Sequence, residues 1–114
     1  MIKYRFKQVK GKAKHRLTRL EPVVRKTVEL KDFAVSLSKR TGIPVADVVV
    51  LMEEAKVDIV NYLLNSCNVK LGDLGTYSVE LKQNEQLKVV PHKVRFTPSD
   101  FFRRSLNNAE LKEV

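Results

Sequence analysis

The sequence predicts an α+β fold, on three observations. Residues 2–7 alternate strictly between apolar and cationic side chains. Residues 30–65 carry helical spacing on both sides of Gly42-Ile43-Pro44. Residues 69–97 return to short strand-like runs split by turns. The chain has 114 residues, 43% hydrophobic, which suits one domain of ordinary size with a modest core.

Ile2, Tyr4 and Phe6 against Lys3, Arg5 and Lys7 have the period of a half-buried strand. Gly11 marks a turn, and residues 15–20 (HRLTRL) alternate more weakly, so a basic hairpin is expected. Pro22 ends it, because proline cannot donate to a ladder. Leu30, Phe33, Ala34 and Leu37 then fall at i, i+3, i+4 and i+7, the stripe of an amphipathic helix. Lys39 and Arg40 suit its last turn, and Gly42 its stop. Pro44 opens a second helix, where a missing N–H costs nothing. Residues 45–65 run without a breaker for roughly 30 Å. Its stripe of Val48, Leu51, Met52, Ala55, Ile59, Tyr62 and Leu63 is widened by Val49, Val50, Val60 and Leu64. A helix apolar over so much of its circumference needs cover on several sides, which a second subunit would supply. Leu51, Met52, Ile59 and Leu63 are the expected dimer core.

Val69 and Leu71 alternate around Lys70, Gly72-Asp73-Leu74-Gly75 interrupts, and Tyr77, Val79 and Leu81 resume the alternation. Gln83-Asn84-Glu85 reads as a polar turn and residues 86–97 as another strand, with Pro91 at an edge or a bulge. Pro98-Ser99-Asp100 opens a final helix, FFRRSLNNAEL.

Charge is unevenly placed. Residues 1–26 carry ten Lys/Arg against a single acid, Glu21, and so hold the whole net charge of +9. Residues 27–114 carry twelve of each sign. Such asymmetry points to an acidic partner, most often nucleic acid. The chain is expected to divide accordingly into a basic hairpin extension over 1–26 and a neutral body, the domain proper, over 27–114.

Several classes are excluded or disfavoured. No apolar run reaches the ~18–20 residues of a membrane helix. The N-terminus has charges at every second position and does not read as a secretory signal. Cys67 stands alone, and with only His15 and His92 it builds neither a disulfide framework nor a structural zinc site. Glu53, Glu54 and Asp58 read as a solvated helix face, with no neighbouring nucleophile. The expectation is a protein without catalysis, cofactor, metal or small-molecule substrate.

The run Val69-Lys70-Leu71-Gly72-Asp73-Leu74-Gly75-Thr76-Tyr77-Ser78-Val79, after two helices and before a hairpin, Phe96 and a last helix, resembles the histone-like HU and integration host factor family. The resemblance covers about residues 28–110. The added hairpin, with LGDLGT and VRFTPS, resembles the variant common in Bacteroides-type bacteria. The resemblance implies an intertwined homodimer: a helical body capped by β-hairpins, whose arms wrap the minor groove of duplex DNA and bend it with proline wedges. It implies a nucleoid-associated, cytoplasmic bacterial protein. This chain departs from the pattern twice. Only Glu80–Lys93 separate Val79 from Val94, with no Asn-Pro tip, so the arm is short and bending is expected to be weak. Ser66 stands where the family usually has the glycine that ends the long helix, which leaves the left-handed stop to Asn65 or Asn68.

The expected DNA contacts are Lys3, Arg5, Lys7, Lys12, Arg16 and Arg19 on the hairpin extension, Lys82, Lys88, Lys93 and Arg95 on the arm, and Arg103 and Arg104 on the last helix. Arg103 and Arg104 could instead pair with acids such as Glu110. Contacts of this kind go to phosphates and carry little sequence preference. Two rivals stand beside this reading. One is an assembly or scaffold module whose N-terminal hairpin adds a strand to a partner. The other is an RNA-binding protein that stacks bases on Tyr4 and Phe6. Exposed Tyr4 and Phe6 would favour stacking, and buried ones the phosphate or scaffold readings.

Overall fold

The computed structural model describes residues 1–9 and 17–114. In chain order the elements are β1 (Ile2–Val9), β2 (Leu17–Pro22), α1 (Leu30–Thr41), α2 (Val45–Leu64), β3 (Val69–Lys70), β4 (Gly75–Gln83), β5 (Val89–Pro98), α3 (Asp100–Asn107) and β6 (Leu111–Glu113). They fall into two compact units. One is Val28–Arg104; the other joins Met1–Thr27 to Ser105–Val114.

In the larger unit, α1 packs on α2. The expected stripe turns Ala34 fully inward, and α2 buries Val48 and Leu63. These three are the whole buried apolar core of the described residues. Gly42 closes α1 in the left-handed conformation (φ +78°), its N–H donating to the Ser38 carbonyl at 2.9 Å. The end of α2 corrects the sequence expectation. Ser66 itself, and not Asn65 or Asn68, takes the left-handed position (φ +63°). The Cys67 N–H donates to the Tyr62 carbonyl and the Ser66 N–H to the Leu63 carbonyl, the paired bonds of a Schellman stop. Two satisfied carbonyls offset the strain of placing serine there.

β3, β4 and β5 form an antiparallel sheet in that order. Tyr77 faces Phe96 across β4 and β5, with ring centroids 4.8 Å apart. Gly75 adopts φ +148° beside them. The register slips where Glu80 faces Lys93 but Leu81 faces Pro91, so His92 is the extra residue of a bulge. Pro91 thus lies at a bulge, where its missing donor is tolerated. The turn beyond is held by Asn84, whose Oδ1 accepts from the N–H groups of Gln86 and Lys88 at 2.9 and 3.0 Å. Leu87 completes it at φ +62°.

In the smaller unit the strand order is β2-β1-β6. β1 pairs antiparallel with β2, as the alternation predicts. The far side of β1 corrects a second expectation. The final helix stops at Asn107 instead of running to Leu111, and Leu111–Glu113 pair with β1 in parallel. The Ile2 N–H donates to the Glu110 carbonyl at 2.8 Å and the Val114 N–H to that of Tyr4 at 2.9 Å. Asn107 and Asn108 are weak helix formers, and β1 offers an open edge to the residues that follow.

Candidate nucleic-acid interface

The three-stranded sheet of the smaller unit is amphipathic by register. Ile2, Tyr4 and Phe6 of β1 share one face with Leu20 and Pro22 of β2 and Leu111 of β6. Tyr4, Leu20, Pro22 and Leu111 line an open apolar hollow of about 400 Å³. Tyr4 is half-buried, and Phe6 is 54% exposed. The opposite face carries Lys3, Arg5 and Lys7 of β1, Arg19 and Glu21 of β2, and Lys112 of β6.

The pairing on this second face is specific. Lys3 stands opposite Lys112, Arg5 opposite Glu21, and Lys7 opposite Arg19. Successive cations on β1 are ~6.6–7 Å apart, and strands lie ~4.8 Å from one another. Two of the three cross-strand pairs thus oppose like charges, which costs stability in the free protein. An anion laid on the face would relieve both. Between them the Arg5 Nε donates to Glu21 Oε1 at 2.5 Å. That hydrogen bond holds the Glu21 carboxyl below its ordinary value of 4.5, helped by the charges of Arg5, Lys7 and Arg19. Of the expected contacts, Lys3, Arg5, Lys7 and Arg19 are brought together here. Lys12 and Arg16 lie outside the described residues.

The arm of β4 and β5 has a polar face of the same kind. Ser78, Glu80 and Lys82 alternate along β4, Ser78 opposite Arg95, Glu80 opposite Lys93 and Lys82, past the bulge, opposite Val90. Glu80 takes both cations: Arg95 Nη2 lies on its Oε1, and Lys93 Nζ is 3.6 Å from its Oε2. Lys88 sits beyond, in the Asn84 turn. On α3, Arg103 and Arg104 turn back one helical turn to Asp100. Arg103 bonds its carboxylate, and the Arg104 Nε approaches its carbonyl at 3.4 Å.

The expected dimer residues lie on α2. Leu63 is buried, Ile59 half-buried, and Leu51 and Met52 are 60% and 40% exposed in the single chain. Val60, Leu63 and Leu64 of α2 also face Val79, Leu81 and Pro91 across an open apolar cleft of about 380 Å³.

Sequence reasoning missed Lys112, and it gave no role to Glu21 or Glu80. A three-residue strand leaves too short an alternation to detect, and only its parallel pairing places Lys112 beside Lys3. The signal for Glu21 was present, since it is the single acid of the basic extension. For Glu80, between Val79 and Leu81, the sequence carries none, and only register places it opposite Lys93.

No curated protein matches the chain. Several solved structures share its fold. A Bacteroides vulgatus protein, described as a candidate bacterial DNA-binding protein, superposes with a TM-score of 0.72 at 11% identity. The match covers 99% of this chain, which spans about half (48%) of that protein's length. The HU of Anabaena, crystallised with DNA, gives a TM-score of 0.55 at 10% identity, over 72% of this chain and all of that one. The sequence model of the HU-HIG family, an HU domain fused to a wHTH, Ig or glycine-rich motif, matches residues 1–113, nearly the full length, and the chain therefore belongs to that family.

Proposed function

We propose that this protein binds duplex DNA as a homodimer, through phosphates and with little sequence preference. The observation that carries the reading is the opposition of Lys3 to Lys112 and of Lys7 to Arg19 on one face of one small sheet. Opposed like charges cost stability, and an anion of matching spacing would offset that cost. The Anabaena relative was crystallised on DNA, which supports the same class of partner. In this reading residues 1–26 are a basic extension and residues 27–114 the dimerising and DNA-binding body, with β6, near the end of the chain, completing the extension's sheet. The dimer would cover the exposed apolar side of α2, Leu51 and Met52 included. A nucleoid-associated, non-catalytic role follows.

The test is a gel shift with duplex DNA, single-stranded DNA and RNA at two salt concentrations, alongside sedimentation of the free protein. Preference for duplex, lost steeply with salt, supports the reading. Salt-insensitive binding, or none at low salt, rejects it.

One observation favours a second reading. The exposed Phe6 ring and its edge-on neighbour Tyr4 (centroids 5.9 Å apart) offer a platform for unpaired bases. Against it, the cations of the sheet lie on the other face, and Glu113, opposite Tyr4, lies on this one. Preference for single strands in the same gel shift would select it.

A further inference from the structure

Both basic faces have an acid at their centre. Glu21 is the single carboxylate among Lys3, Arg5, Lys7, Arg19 and Lys112, and Glu80 the single carboxylate among Lys82, Lys93 and Arg95. Neither falls there by a chance of side-chain reach. The ladder places Glu21 directly opposite Arg5, and Glu80 directly opposite Lys93. Each carboxylate therefore occupies the position, relative to its cations, that a phosphate would take. Glu80 is the more committed of the two, spanning Arg95 and Lys93 at once. Its side chain is 23% exposed, and those of its two partners are 60% exposed.

We propose that Glu21 and Glu80 act as internal competing anions, which hold Arg5, Lys93 and Arg95 out of full contact with phosphate and so set the affinity of the two basic faces. The proposal rests on the DNA-binding reading above. Its physics is direct. A cation already paired with a carboxylate displaces no counterion from the DNA at full effect, so an arriving phosphate gains little by meeting it. The carboxylate also repels that phosphate. Neutralising the acid returns a free cation. One added phosphate contact steepens log affinity against log salt by about 0.9. If the gain vanishes near 1 M salt, this amounts to about eight-fold tighter binding at 0.1 M per contact. Glu80 restrains two cations and Glu21 one, so the larger gain falls on the arm.

The test is a salt titration of binding to a fluorescent duplex by the full chain and by Glu21→Gln, Glu80→Gln and Glu53→Gln. Glutamine keeps the shape and an acceptor oxygen and removes only the charge. Glu53→Gln makes the same change of net charge on α2, where Glu53 pairs with Lys56 outside either basic face. Circular dichroism confirms that each variant is folded. The proposal expects tighter binding and a steeper slope for Glu21→Gln, more of both for Glu80→Gln, and neither for Glu53→Gln. The double variant Arg5→Gln/Glu21→Gln should lose the gain, because Glu21 acts through Arg5. Equal gains from all three single variants would reduce the effect to net charge and overturn the proposal. Unchanged or weaker binding by Glu21→Gln and Glu80→Gln would also overturn it, and weaker binding would make the acids positioning residues instead. Failure of every protein, wild type included, to bind at low salt would instead reject the DNA-binding reading itself.

Discussion

Gly75 lies against the ring of Phe96, so close that a β-carbon on it would stand 2.8 Å from Cζ. The Thr97 carbonyl oxygen is nearer still. The φ of +148° disfavours any L side chain as well. Gly75 is thus fixed by the backbone it must adopt and by the ring it must pass. The Gly75→Ala substitution should destabilise the fold by about 2–4 kcal/mol, since neither the clash with backbone nor the strain can relax cheaply. Chemical denaturation measures this, and a change within error would mean that β4 starts differently.

Two leucines of α2 separate a monomer from a dimer. Leu63 is buried within the single chain and Leu51 is 60% exposed. Leu63→Asp should unfold the protein in either state, at a cost of several kcal/mol, because it buries a charge. Leu51→Asp should cost little in a monomer but a comparable amount in a dimer that covers α2. A severe loss for Leu51→Asp, with sedimentation showing a dimeric wild type, is the expected result. A Leu51→Asp variant as stable as wild type would leave the dimer without its core.

Much of this architecture was legible in sequence because it depends on local rules. Gly42 and Pro44 bracket the break between α1 and α2, and Pro91 falls at a bulge, where the missing donor required it. What escaped depends on partners distant in sequence. Leu111–Glu113 are a strand only because β1 has an open edge, more than a hundred residues earlier. Ser66 is left-handed because the Schellman bonds of α2 demand some residue there, whatever its propensity. The candidate site divides in the same way. Alternation gave the cationic face of β1, but only register shows that Glu21 meets Arg5 and that Lys112 meets Lys3.

The Arg5–Glu21 pair carries a pH signature. The folded state holds Glu21 below 4.5, chiefly through the Arg5 hydrogen bond. The pair's contribution to stability is therefore complete above that ordinary value. It is lost as pH falls through the lower, folded value. The loss should be slight, because the pair lies at the surface, with the Arg5 side chain 58% exposed. A carbon-13 titration of the Glu21 carboxyl should find it depressed in the wild type and restored towards 4.5 in Arg5→Gln. An ordinary value in the wild type would mean that the pair does not persist in solution.

The arm should bend DNA weakly. Its turn, Asn84 to Lys88, contains no proline, and its one large apolar side chain is Leu87, 75% exposed. Energy transfer across an end-labelled duplex should change little on binding. Strong compaction that disappears in Leu87→Gly would assign Leu87 the part of a wedge between base steps.

The decisive prediction concerns the sheet of β1, β2 and β6. Deleting the extension would strip β6 of its partner, so substitution is the cleaner probe. Lys3→Gln, Lys7→Gln and Arg19→Gln together keep the apolar face, the Arg5–Glu21 pair and the backbone ladder. They remove one cation from the Lys3–Lys112 pair and both from the Lys7–Arg19 pair. The free protein should become slightly more stable, because repulsion between opposed cations is relieved. Binding should become weaker on every duplex alike, because phosphate contacts do not read bases. The slope of log affinity against log salt should flatten by about 0.9 for each phosphate left without its cation, or about 2.7 per chain if all three cations touch phosphate. The two effects have opposite signs, so a partly unfolded variant cannot imitate them. If the triple variant is folded and binds with unchanged affinity and slope, the basic face of this sheet is not the DNA surface. Lys82, Lys88, Lys93 and Arg95 on the arm would then be the residues to neutralise next.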